Sequence, residues 1–163
     1  MAEIVDEVST VSPEVNEIMN EIIGEPCTRK EVGSMRSLSL GFGEESTEAK
    51  NRNRQYRKWE LGTYSSDWKV LDGAGVVLAK EQSKNIGELD AKLGAILLGR
   101  LVSIQQVSKS AVHVTLDNAI TIEFTGDIED EDEYFHVFGP ESRYVEFSEQ
   151  GWKAGRSDTP WTQ

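Results

Sequence analysis

The chain has 163 residues, 37% of them hydrophobic and 28% charged, which is enough for one soluble domain with a real core. Lys and Arg number 17 against 29 Asp and Glu, and the net charge of −12 repels DNA, RNA and anionic lipid while suiting basic partners. The single cysteine, Cys27, excludes an intrachain disulfide and any multi-cysteine metal site.

The opening residues, MAEIVDEV, have neither the basic nor the apolar region of a secretory signal, and no apolar run approaches the ~18 residues of a membrane span, so the expected address is cytoplasmic. Residues 1–11 read as a flexible acidic N-terminus, 12–149 as a single α+β domain and 150–163 as a tail. A helix is announced by Ser12 as N-cap and Pro13 at the first helical position. Val15, Ile18, Met19, Ile22 and Ile23 follow at helical spacing, Gly24 can close the helix in the left-handed conformation, and Pro26 prevents its resumption.

Met35–Phe42 reads as a strand with Leu38, Leu40 and Phe42 on one face, and the polar stretch Gly43–Gln55 as a loop. Tyr56–Tyr64 and Trp68–Leu71 read as strands joined around Ser65-Ser66-Asp67, with Trp59 and Trp68 inward. Asp72-Gly73 is a turn pair, after which Val76–Ala79 can return as a short strand. A second short helix is expected over Ile86–Leu98, with Leu89, Leu93, Ile96 and Leu97 inward and Gly99 as its stop.

The clearest pattern follows, in Leu101–Phe124. Val112, Val114 and Leu116 alternate with His113 and Thr115. Across the turn at Asp117-Asn118, Ile120, Ile122 and Phe124 alternate with Thr121 and Glu123. Period two on both sides of a turn defines two half-buried antiparallel strands. Tyr134–Phe138 and Arg143–Phe147 read as a last hairpin around Gly139-Pro140, and the tail carries Trp152 and Trp161 without pattern. The fold class is α+β, mainly antiparallel β: a curved sheet or open barrel-like meander with an N-terminal helix and a second short one.

In order, IIGEPC, SLSLGFGE, a Trp-containing strand ending in SSDWKV, LGRLVSIQQV, VTLDNAITIEF and EYFHVFGPESRYVEF resemble a group of small bacterial proteins of unknown function. Members share a helix, Gly-x-Pro-Cys, a strand ending in Phe-Gly, an x-Asp-Trp strand and a final β meander. The resemblance covers Ile22–Phe147. Thr28 and Arg29 depart from it by lacking the aromatic that follows the cysteine, and the segment Lys50–Lys58 and both termini are this chain's own. Such proteins are similar to the immunity-type proteins found beside bacterial toxin genes. The resemblance implies a fold and a bacterial or phage setting, and it transfers no catalytic residue.

Charge is unevenly placed. Asp127, Glu129, Asp130, Glu131, Asp132 and Glu133 form an acidic run, whereas Lys50, Arg52, Arg54, Arg57 and Lys58 form a basic insert with no acid. The run lacks the spacing and the turn glycine of a calcium loop, so no metal and no cofactor is expected. Clustered carboxylates can instead imitate phosphates and occupy the basic cleft of another protein. Trp152 and Trp161 are candidate docking residues, with folding back over a sheet edge as the alternative. The basic insert offers a route to homo-oligomers by pairing with acidic regions. Cys27, His113 and His136 read as ordinary packing and strand residues rather than a nucleophile–base set.

The sequence therefore favours a non-enzymatic inhibitor that binds a basic protein partner, with no direct nucleic-acid or membrane contact. The alternatives are a small-molecule binder or enzyme using the concave sheet face near Tyr64, Tyr134 and His136, and a self-associating structural subunit.

Overall fold

The computed structural model describes residues 13–32, 37–45, 57–63, 67–80, 86–126, 134–148 and 150–156. Helix α1 spans Pro13–Ile22 and buries Val15, Ile18 and Ile22. Gly24 ends it at φ +94°, the left-handed conformation open to glycine, and Ile23 turns outward instead of joining the core. Strands β1 (Cys27–Val32), β2 (Leu38–Glu45) and β3 (Arg57–Gly62) follow. Next come β4 (Asp67–Leu71), β5 (Val77–Lys80) and helix α2 (Ile86–Gly94). The meander is β6 (Leu101–Ser108), β7 (Ala111–Leu116) and β8 (Thr121–Thr125). The chain then adds β9 (Phe135–Phe138), β10 (Arg143–Ser148) and β11 (Gly151–Arg156).

All pairings between these strands are antiparallel, and they build two open sheets. One has six strands in the order β1-β2-β3-β9-β10-β11, the other five in the order β5-β4-β8-β7-β6. The α+β class with mainly antiparallel strands is thus what the chain adopts. The two strands read as neighbours around Ser65-Ser66-Asp67 lie in different sheets, β3 in the larger and β4 in the smaller. The chain crosses back between β8 and β9, and β9 pairs with β3 across a long sequence separation.

One hydrophobic core joins both sheets and both helices. Phe124 of β8 meets Phe135 of β9 at 5.1 Å between ring centroids, and Trp59 and Trp68 are buried as their strands require. Helix α1 packs on β10 and β11, where Arg143 donates two hydrogen bonds, of 2.9 and 2.8 Å, to the Glu21 carboxylate. Helix α2 packs on β1 and β5. It stops at Gly94, before Ile96 and Leu97, and Leu97 is 81% exposed rather than inward.

The early stop of α2 has a chemical reason in β1. Lys30 stands in register with the core residue Leu40, and its ammonium donates to the C=O groups of Leu93, Gly94 and Ile96. A cation thus caps the negative end of the helix dipole.

Candidate functional site

The acidic run 127–133 lies outside the described residues, but its two ends are placed. Gly126 N–H donates to Ser110 C=O at 2.7 Å, and Tyr134 N–H to Phe147 C=O at 2.7 Å. A Cβ on Gly126 would stand 1.9 Å from the Tyr134 ring, so the ends of the run touch each other. Six acids in seven residues are therefore carried on a connection anchored at one point between the two sheets.

Trp152 stands in β11, within the stretch the sequence reads as a patternless tail. It is half-buried, with ring centroids 4.7 Å from Phe147 and 6.3 Å from Phe135. Its indole N–H donates to Gln106 Oε1 at 2.9 Å, which links an edge strand of one sheet to an edge strand of the other. Strand β11 itself pairs with β10, with Trp152 in register with Phe147. Trp161 lies outside the described residues, as does Tyr64 of the alternative ligand site. Of that site's other members, Tyr134 packs in the core against Phe147, while His136 stacks on Phe138 at 4.5 Å.

The densest polar cluster was not nominated from the sequence. Strand pairing aligns Arg29, Gly41, Glu60, Phe138, Tyr144 and Gly155 in one row across all six strands of the larger sheet. This row faces away from the core, because the neighbouring row through Leu40, Leu61, Val137 and Val145 is the buried one. Yet the Glu60 side chain is only 8% exposed. Its Oε1 accepts from Arg29 Nη1 at 2.7 Å and its Oε2 from Arg57 N–H at 2.6 Å, with Ser39 Oγ 3.4 Å from Oε1. Gly41 makes room: a Cβ there would lie 2.6 Å from Arg57 Cγ and 2.9 Å from Glu60 Oε2.

Burial pushes the Glu60 carboxyl above its ordinary range, and the Arg57 N–H, the Arg29 charge and Ser39 offset this in part. The cluster holds a buried carboxyl between the Arg29 guanidinium and the Arg57 backbone N–H, an arrangement that occurs at functional sites and in structural ion-pair networks. Arg29 also pairs with Glu31, and Arg57 reaches Thr28 with Nε at 3.0 Å. The guanidinium of Arg57, part of the basic insert, is thus engaged within the chain.

A second cluster crosses the smaller sheet. Glu123 accepts from His113 Nε2 at 2.9 Å and pairs with Lys69 at 3.3 Å. Burial raises the Glu123 carboxyl, but hydrogen bonds from His113 and Lys69 outweigh it and hold the group below its ordinary range. Cys27 is half-buried, and burial pushes its thiol up to about 11, so it stays protonated at neutral pH and lacks the thiolate a nucleophile needs. Among the described residues no group of three or more His, Cys, Asp or Glu could hold a metal ion, and no helix is long and apolar enough to cross a membrane.

No protein-family model matches the chain, and no curated protein or solved structure is significantly similar to it. The resemblance to the small bacterial proteins therefore rests on the quoted residues alone.

Proposed function

We propose that this protein is a non-enzymatic binding protein of the immunity or anti-defence type, acting in the cytoplasm of a bacterial or phage-infected cell. Its acidic surface occludes a basic site on a partner protein by steric and electrostatic means. The observation that carries this reading is the anchored acidic connection: six carboxylates in residues 127–133, with both ends held together where β8 passes to β9. Fixing the ends lowers the ordering cost when such a segment meets a partner. Helix α1 adds exposed acids at Glu14 and Glu17, so the −12 charge is not confined to the run.

A tagged pull-down from lysate of the native host, at low and then raised salt, tests the proposal. The expected result is one stoichiometric basic partner, lost as salt screens the contact. The doubly substituted Asp130→Lys, Asp132→Lys variant is expected to lower the association rate at low salt by about 10-fold or more. Unchanged kinetics would remove the run from the mechanism, and recovery of the bait alone would remove the partner.

A further inference from the structure

The two sheets have four edge strands, β1, β11, β5 and β6, and their unpaired backbone groups are treated differently. Helix α2 packs on β1 and β5, and its Asp90 carboxylate accepts from Val32 N–H at 3.1 Å. Helix α1 packs on β11. Edge β6 is covered at its start, where Gly24 N–H and Glu25 C=O bond the C=O and N–H of Leu101 at 2.8 and 3.0 Å. No other backbone partner lies along its outer side among the described residues.

Composition sets β6 apart as well. Natural edges are blunted with charge or proline. Strand β1 carries Arg29, Lys30 and Glu31, β5 ends on Lys80, and β11 carries Lys153 and Arg156. The eight residues of β6, LVSIQQVS, contain neither. Val102 and Val107, each without a register partner in β7, bulge outward at 48% and 44% exposure. Between them Ser103–Gln106 keeps regular pairing with β7. Exposed Arg100 and Lys109 bracket the strand, and neither joins an ion pair among the described residues. In a chain of −12, the one uncharged edge thus has cations at both ends.

We propose that β6 accepts a further strand from a partner protein: an extended segment with an uncharged, β-branched middle and a carboxylate near each end. The added strand pairs its backbone with Ser103–Gln106, packs β-branched side chains against Val102 and Val107, and sets its acids against Arg100 and Lys109. A second copy of this chain fits less well. Antiparallel pairing of β6 with itself brings Arg100 of one copy beside Lys109 of the other and sets −12 against −12. This surface is separate from the acidic run and does not rest on the function proposed above.

The test uses the full chain and two synthetic peptides of alternating threonine and valine, about nine residues long, one with glutamate at both ends and one with lysine at both ends. Binding is read by fluorescence anisotropy at low salt and by exchange of the amides within Ser103–Gln106 whose N–H points away from β7. The glutamate-ended peptide is expected to bind at least about 10-fold more tightly and to slow exchange at those amides. The double variant Arg100→Glu, Lys109→Glu reverses the preference. Val107→Pro, at a bulge without a register partner in β7, abolishes binding while the circular dichroism spectrum is kept. Equal affinity for both peptides, unchanged exchange, or a dimer of the unliganded protein that Val107→Pro dissolves would overturn the proposal.

Discussion

Replacing Glu60 tests whether the polar row on the larger sheet is held by its charge or by its hydrogen bonds. In Glu60→Leu the Arg57 N–H and the Arg29 guanidinium both lose their acceptor at a site where the Glu60 side chain is 8% exposed. Breaking a buried pair from one side costs about 3–5 kcal/mol. Arg29 keeps Glu31, whose side chain is 54% exposed, so the expected loss is near the lower bound, about 3 kcal/mol. For a chain of this size that is roughly 6–12 °C in Tm. Glu60→Gln keeps an acceptor for Arg57 N–H and removes the charge, and its expected cost at pH 7 is about 1 kcal/mol.

The pH dependence carries the opposite sign to that of an ordinary paired carboxylate. Because burial raises the Glu60 carboxyl, the folded chain binds its proton more tightly than the unfolded chain does. Wild type therefore gains stability relative to Glu60→Gln as pH falls through the raised folded value, and the gain is complete below the unfolded value of about 4.3. Urea unfolding of the three proteins from pH 7 down to pH 4, with the m-value checked for constancy, measures both effects. A Glu60→Leu protein within about 0.5 kcal/mol of wild type would refute the account of the cluster. So would a wild type that loses ground to Glu60→Gln on acidification.

Other substitutions probe other parts of the molecule. Gly62→Ala places a Cβ 2.3 Å from the Leu38 carbonyl oxygen, a backbone atom that cannot step aside, and is expected to cost more than about 2 kcal/mol in thermal melts. Gly94→Ala, with nothing within 4 Å, is the control and is expected to stabilise by up to about 1 kcal/mol. Trp152→Phe keeps ring packing on Phe147 but loses the bond to Gln106, with an expected cost of about 1 kcal/mol; a double-mutant cycle with Gln106→Leu isolates that bond. With its thiol pushed up to about 11, Cys27 should react slowly with iodoacetamide at pH 8 and faster as pH rises toward 11, and unfolding in urea should abolish this lag.

The meander was legible because its signal is local. Alternation in Val112–Leu116 and Ile120–Phe124 states both the strands and the buried face, and Val112, Val114, Ile122 and Phe124 are all fully buried. Helix α1 was legible for the same reason, through Pro13, the apolar stripe and Gly24. Strand β1 was not. In CTRKEV Val32 stands in register with the core residue Leu38, but the position beside Leu40 is held by Lys30, placed there by a helix end that lies more than sixty residues away along the chain. No pattern within six residues can express that contact. The extent of α2 was misjudged because Ile96 and Leu97 continue the apolar spacing beyond Gly94, where the Lys30 cap ends the helix. The assignment of neighbouring strands to separate sheets was equally hidden, since hydrophobic period fixes a strand's face and not its partner.

The polar cluster was harder to see than any strand. Alternation in KWELG already turns Trp59 and Leu61 inward and Glu60 outward, which by itself describes a solvated carboxylate. What buries Glu60 is register. Arg29 reaches it from a strand thirty-one residues away, and Gly41 between them leaves the gap that the two side chains fill. The available signal was the glycines. Gly41 and Gly62 sit inside strands, where glycine weakens pairing unless another group must come close. At Gly62 that group is the Leu38 carbonyl and at Gly41 it is Arg57 with Glu60, so both glycines mark the same crowded patch of one sheet face. An outward acid flanked in sequence and in register by strand glycines is therefore better expected to be enclosed than solvated, and the Arg29 guanidinium that pairs with Glu60 is the charge such an enclosed acid requires, with the Arg57 backbone N–H as its second donor.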